Sequence, residues 1–222
     1  MEHVSTVFPE RPVPQTQYIK RKGGRTLFHG ARVARTLKIE PNLFVTLKFW
    51  ETSLTIFEMA DAFARIREKF GHWVQRPPQR HSAFDAPPTF LWVLENPPDR
   101  DQFHAHWLVY VPPERQADFT EMLDKWMRSA AAKIYNPTPF HVEPVSALLG
   151  ITAYMLKGQF PTVASDHGVT PDYQGWIPGR KRSGSSKNLG PTEHERLWKA
   201  GKHPRPRQYI KGRFNNHQRQ IM

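Results

Sequence analysis

Between Asn42 and Phe49 apolar and polar positions alternate: Leu43, Val45, Leu47 and Phe49 fall on one side, and Asn42, Phe44, Thr46 and Lys48 on the other. That period of two predicts a strand. Ile56, Met59, Phe63, Ile66 and Phe70 then recur at three- and four-residue spacing, which predicts a helix starting near Ser53 or Thr55 and stopping at Gly71. Residues 74–88 carry four prolines and read as a loop. A second strand is predicted over Thr89–Glu95, then turn residues over Asn96–Gln102, then a third strand over Phe103–Val111. Pro112 and Pro113 end that strand, and Phe119, Leu123, Trp126 and Ala130 mark the stripe of a second helix. A short strand over Phe140–Val142 and a helix from about Val145 to Lys157, closed by Gly158, complete the regular part.

The order β-α-β-β-α-β matches an α+β, ferredoxin-like split βαβ arrangement. It predicts an antiparallel four-stranded sheet with helices on one face and a tyrosine-bearing helix following. Residues 1–40, with Pro9, Pro12, Pro14 and the run Lys20-Arg21-Lys22, read as a basic N-terminal arm, and 159–222 as a basic C-terminal extension. Pro191–Ala200 hints at one more short helix.

Charge sharpens this division. The chain of 222 residues has a net charge of +12. Residues 1–40 hold 8 Lys/Arg against 3 Asp/Glu, residues 41–158 hold 12 against 13, and residues 159–222 hold 12 against 4. A near-neutral centre between basic flanks suits a domain that works on a polyanion. The absence of cysteine excludes disulfides, thiolate catalysis and cysteine-held metals. No apolar run reaches membrane-spanning length, and Met1–Ser5 lacks a secretory pattern, so a cytoplasmic location away from membranes is expected.

The third strand carries the candidate chemistry. His104 and His106 sit two residues apart and so share one face, roughly 6.6 Å apart along the strand. Phe90, Trp92, Leu94, Ala105, Trp107 and Val109 form the bulkier face, expected to pack on the helices. That leaves Glu95 with the histidines, provided that its register pairs it with His104 or His106; a slip of one residue would turn it away. Two imidazoles and a carboxylate make a three-point site with open positions, suited to Mg²⁺ or Mn²⁺, with zinc an alternative. On the last helix Tyr154 and Lys157 lie three residues apart, a candidate nucleophile and a cation beside it.

Taken together, His104-Ala105-His106-Trp107-Leu108-Val109, the upstream Glu95 and Tyr154-Met155-Leu156-Lys157 resemble the motifs of the HUH endonuclease superfamily. Within it the chain is similar to single-tyrosine rolling-circle replication initiators, and Leu43–Phe49 looks like that family's first-strand motif. The resemblance spans about Pro41 to Gly158. It implies a metal held by Glu95, His104 and His106, and attack by Tyr154 on single-stranded DNA or an origin hairpin. The products would be a 5′-phosphotyrosyl link and a free 3′-OH, with Lys157 steadying the phosphate. The elements it implies are plasmid or phage replicons, with a transposase or relaxase of the same superfamily as alternatives. No P-loop motif occurs, so a separate helicase is implied. In the C-terminal flank Arg180, Lys181, Arg182 and Lys187 are candidate DNA contacts, and Trp176, Trp198 and Tyr209 could stack bases. A water-using metal phosphodiesterase and a non-catalytic nucleic-acid-binding module remain open at this stage.

Overall fold

The alternating segments pair into one antiparallel sheet, and a computed structural model describes residues 14–76, 87–98, 100–179 and 181–202 of the chain. In chain order the elements are β1 (Gln15–Thr16), α1 (Arg21–Thr36), β2 (Leu43–Lys48), α2 (Ile56–Gln75), β3 (Phe90–Glu95), β4 (His104–Val109), α3 (Gln116–Ala130) and β5 (Phe140–Pro144). There follow α4 (Leu148–Tyr154), α5 (Pro161–Ser165), β6 (Ile177–Pro178), β7 (Ser183–Ser185) and α6 (Pro191–Lys199).

The main sheet has five strands in the order β5-β2-β4-β3-β7, all antiparallel, and β1 and β6 form a separate two-stranded ribbon. Four strands were expected; the fifth, β7, comes from the C-terminal flank and adds to the edge of β3. Gly184 makes this possible, because a Cβ there would stand 2.8 Å from the Trp92 ring. Between β2 and β3, the two strands that flank it, β4 runs antiparallel to both.

One sheet face packs as expected. Leu43, Val45, Leu47, Trp92, Leu94, Ala105, Trp107 and Val109 bury against Met59, Phe63, Ile66 and Phe70 of α2 and Phe119, Leu123 and Trp126 of α3. Each such large side chain contributes about 1.5–3 kcal/mol on burial. Thr55 starts α2 with a reciprocal cap: its hydroxyl accepts from the Glu58 backbone while the Glu58 carboxylate accepts from the Thr55 amide. The helix runs past Gly71 to Gln75, because the fully buried Val74 extends its apolar stripe.

The other face overturns two expectations. Helices cover both sides of the sheet, and residues 21–36 are a helix instead of an arm. Leu27, Ala31, Val33 and Ala34 of α1 join Phe44, Leu91, Val93 and Leu108 in a second core, with Leu148, Met155 and Leu156 beside them. The approach is close: a Cβ on Gly30 would meet Leu91 Cδ2 at 2.6 Å. The tyrosine-bearing helix is also shorter than its pattern suggests. β5 continues through Pro144, and the Val145 amide still donates to Asn42, so α4 starts only at Leu148 and ends at Tyr154. Lys157 therefore lies in the following turn, where its amide donates to the Tyr154 carbonyl.

Candidate metal centre and adjoining tyrosine

Register decides whether Glu95 can reach the histidines. β3 pairs with β4 so that Glu95 stands opposite His104 and Val93 opposite His106, which puts the carboxylate and both imidazoles on one face at one end of the sheet. All three are buried, with Glu95 1%, His104 8% and His106 5% exposed. Glu95 Oε2 lies 3.2 Å from His104 Nε2 and 3.5 Å from His106 Nε2, and the two Nε2 atoms are 3.2 Å apart.

The outer ring nitrogen of His104 fixes which of its atoms faces inward, and that of His106 has a hydroxyl able to accept its proton. His104 Nδ1 sits 2.6 Å from the Gln102 carbonyl, which can only accept, so Nδ1 carries the proton and Nε2 presents its lone pair. His106 Nδ1 lies 3.1 Å from the Thr46 hydroxyl, placed by the β2–β4 register directly opposite it. A proton on Nδ1 again leaves Nε2 as the free donor atom. Phe44 stacks on His106 at 5.0 Å and Trp50 meets His104 edge-on at 5.6 Å, which holds both rings in place.

Two lone pairs and a carboxylate facing one another can take a cation between them. Ligand bonds of about 2.1 Å put donor atoms about 3.0 Å apart at octahedral angles and about 3.4 Å at tetrahedral ones. The observed spacings of 3.2–3.5 Å fit. Glu95 Oε1 is buried and accepts no hydrogen bond among the described residues. It is a second carboxylate oxygen free to ligate. The group could therefore hold a metal ion, and it is the one His/Asp/Glu cluster with that capacity among the described residues.

Charge agrees with this geometry. Burial pushes the Glu95 carboxyl up, but the His104 and His106 rings against it and the nearby Lys157 charge overcome it and hold the group well below the usual carboxylate range. Burial pushes the His106 imidazole down, against the pull of Glu95, and keeps it neutral near pH 7. A neutral ring beside an ionised carboxylate is the protonation state that a metal requires.

Tyr154 stands at the open side of this group. It is 48% exposed, its ring centroid lies 5.5 Å from that of His106, and it meets Phe44 edge-on at 6.3 Å. Lys157 joins it to the carboxylate: Nζ donates to the Tyr154 hydroxyl at 2.8 Å and lies 3.0 Å from Glu95 Oε2. Burial disfavours the Lys157 charge, but Glu95 and Tyr154 outweigh it, so the ammonium persists above its ordinary range. The turn position brings Lys157 to the tyrosine as effectively as a helical one.

The basic flank divides differently from expectation. Arg182 is 2% exposed and cannot meet DNA. Its guanidinium donates to the carbonyls of Leu94, Gln17, Gly175 and Gln174, and burial lowers its pKa to about 10. It clamps the end of β3 to both flanks, a role that follows from β7 joining the sheet. Lys181 and Lys187 are exposed, whereas Arg180 and Tyr209 lie outside the described residues. Trp176 is half-buried beside Phe57, and Trp198 is half-buried on α6. Thr46, whose hydroxyl meets His106 Nδ1, is a contact of the candidate site that the motif reading did not single out. Its polar position on the Asn42/Phe44/Thr46/Lys48 side of β2 was the available signal.

No protein-family model, curated protein or solved structure matches the chain. No helix among the described residues is long and apolar enough to cross a membrane.

Proposed function

We propose that this chain is a metal-dependent nuclease that nicks single-stranded DNA with Tyr154 as nucleophile, in the manner of single-tyrosine HUH replication initiators. The carrying observation is the link from the three converging ligand atoms, through Lys157, to an exposed phenol. The split arrangement of β2, β4 and β3 supports the ferredoxin-like reading, with β7 as an addition to its edge. Glu95, His104 and His106 would hold Mg²⁺ or Mn²⁺, which supplies Lewis-acid polarisation of a phosphate oxygen.

The chain's own groups account for the rest. Lys157 sets positive charge between the phenol oxygen and the carboxylate, where a phosphodiester would carry its negative charge. The Tyr154 oxygen attacks phosphorus in line and its proton passes to solvent, which the exposed side chain meets directly. The new bond is Tyr154 Oη–P, and the bond that breaks joins phosphorus to the 3′ oxygen, which takes a proton from water. The product is a 5′-phosphotyrosyl link with a free 3′-OH able to prime synthesis. Phe44 and Trp50 keep the imidazoles from turning away while this occurs.

The test is a denaturing gel of the protein incubated with MnCl₂ and an oligonucleotide set that includes hairpins. A slowly migrating protein–DNA band is expected, abolished by EDTA and by Tyr154→Phe, with mass spectrometry placing the adduct on Tyr154. Cleavage that persists in Tyr154→Phe would replace the phenol with water as nucleophile and overturn the proposal.

A further inference from the structure

A cluster of aromatic rings lies just beyond the Tyr154–Lys157 turn, outside the metal centre. Tyr18 meets Phe160 edge-on at 5.2 Å and Tyr173 at 5.5 Å. Phe160 is 50% and Tyr173 43% exposed, so this aromatic surface faces solvent. Each ring stands next to a residue tied to the turn that carries Lys157. Ile19, after Tyr18, donates its amide to Gly158 at 2.9 Å; Asp172, before Tyr173, donates to Lys157 at 2.9 Å; and Gln159, before Phe160, pairs with Ile19. Two residues stand between Lys157 and Phe160, so their Cα atoms are at most about 11 Å apart. The cluster and the phenol are thus held by one piece of backbone.

Exposed Lys20 and Lys22 lie two and four residues after Tyr18, Lys20 just before α1 and Lys22 in its first turn. Flat apolar faces with cations close by in the chain match one kind of ligand: unpaired bases on a phosphate backbone. A duplex hides its base faces, so the match is to a single strand.

We propose that Tyr18, Phe160 and Tyr173 form a stacking platform for the bases flanking the phosphate that Tyr154 attacks, with Lys20 and Lys22 following the backbone. This rests on the nuclease reading for its placement beside a scissile phosphate, while its base-binding property can be measured without cleavage. It also assigns the N-terminal flank a part in gripping substrate.

The experiment measures fluorescence anisotropy of labelled oligothymidylate with the full chain in EDTA, where no nicking interferes. Tyr18→Ala and Tyr173→Ala should each weaken binding by about 5- to 150-fold, the effect of losing one stacked base. Tyr18→Phe and Tyr173→Phe should keep near-parental affinity, since the ring remains. The alanine variants should leave the salt slope unchanged, whereas Lys20→Ala and Lys22→Ala should each reduce it by about 0.7. Alanine variants with parental circular dichroism and parental affinity would overturn the platform, even if Tyr154 still forms its adduct. Ring-dependent binding without any adduct in the gel assay would leave the platform standing and remove the nuclease reading. A parent chain with no affinity for the oligonucleotide would overturn the platform and turn the patch toward a protein partner.

Discussion

Glu95 Oε2 is the atom on which His104, His106 and Lys157 converge, so its loss should cost more than the loss of any outer partner. Glu95→Gln keeps the shape and removes the charge. Calorimetric titration with MnCl₂ should show affinity reduced by more than the roughly 10- to 100-fold typical of an outer-shell change. Thr46→Val should fall within that 10- to 100-fold range, because it frees the His106 ring without removing a ligand. If Thr46→Val binds Mn²⁺ like the parent, Thr46 does not set the His106 tautomer. Arg182 belongs to stability instead. Arg182→Leu leaves the buried carbonyls of Leu94 and Gly175 without their donor and takes one of two donors from Gln174, and should destabilise the fold by about 3–5 kcal/mol in urea titration.

Among the elements, α1 shows where reading from sequence stops. Its buried stripe contains Gly24, Gly30, Ala31 and Ala34, residues too small to register as hydrophobic periodicity, and it opens with Arg21 and Lys22. The sheet strands and α2 were legible because Val, Leu, Phe and Trp recur at clean intervals. The site was legible for the same reason: strand alternation put both histidines on one face, and the hairpin register then settled Glu95. β7 was not legible, since Ser183-Gly184-Ser185 lacks any β-branched or aromatic residue and is recruited by the β3 edge. The small-residue contact of α1 can be tested directly. Gly30→Val should push against Leu91 and destabilise by about 1–3 kcal/mol, despite the better helix propensity of valine. A thermal midpoint at or above the parent's would mean that α1 does not seat closely on β3.

For the whole molecule, pH and metal act through the same buried group. In metal-free protein the His106 imidazole lies below its ordinary 6.5, so the unfolded chain takes up that proton first. Its contribution is complete above about pH 6.5 and is lost as pH falls through the lowered value. Glu95, held below its ordinary 4.5, adds a further loss in stronger acid. Lys157 has the opposite sign: raised above 10.5, its contribution holds at neutral pH and is lost only in alkali. Melting midpoints in EDTA should therefore fall steadily from pH 7 to pH 4. Mn²⁺ at one hundred times its dissociation constant should add about 2.7 kcal/mol at neutral pH, and less in acid as protons compete for the imidazoles. A flat midpoint across that range would contradict the buried neutral histidine.

The Arg182 clamp has a practical corollary for anyone seeking a minimal active fragment. Residues 16–17 and 174–175, which it fastens to Leu94, lie far apart in the chain and both fall outside the electrically neutral middle. Trimming to 41–158 would strip α1 and β7 from the sheet and lay Leu91, Val93 and Leu108 open to water. Such a fragment should bind a hydrophobic dye and clump, because the extensions supply one of the two layers that cover the sheet.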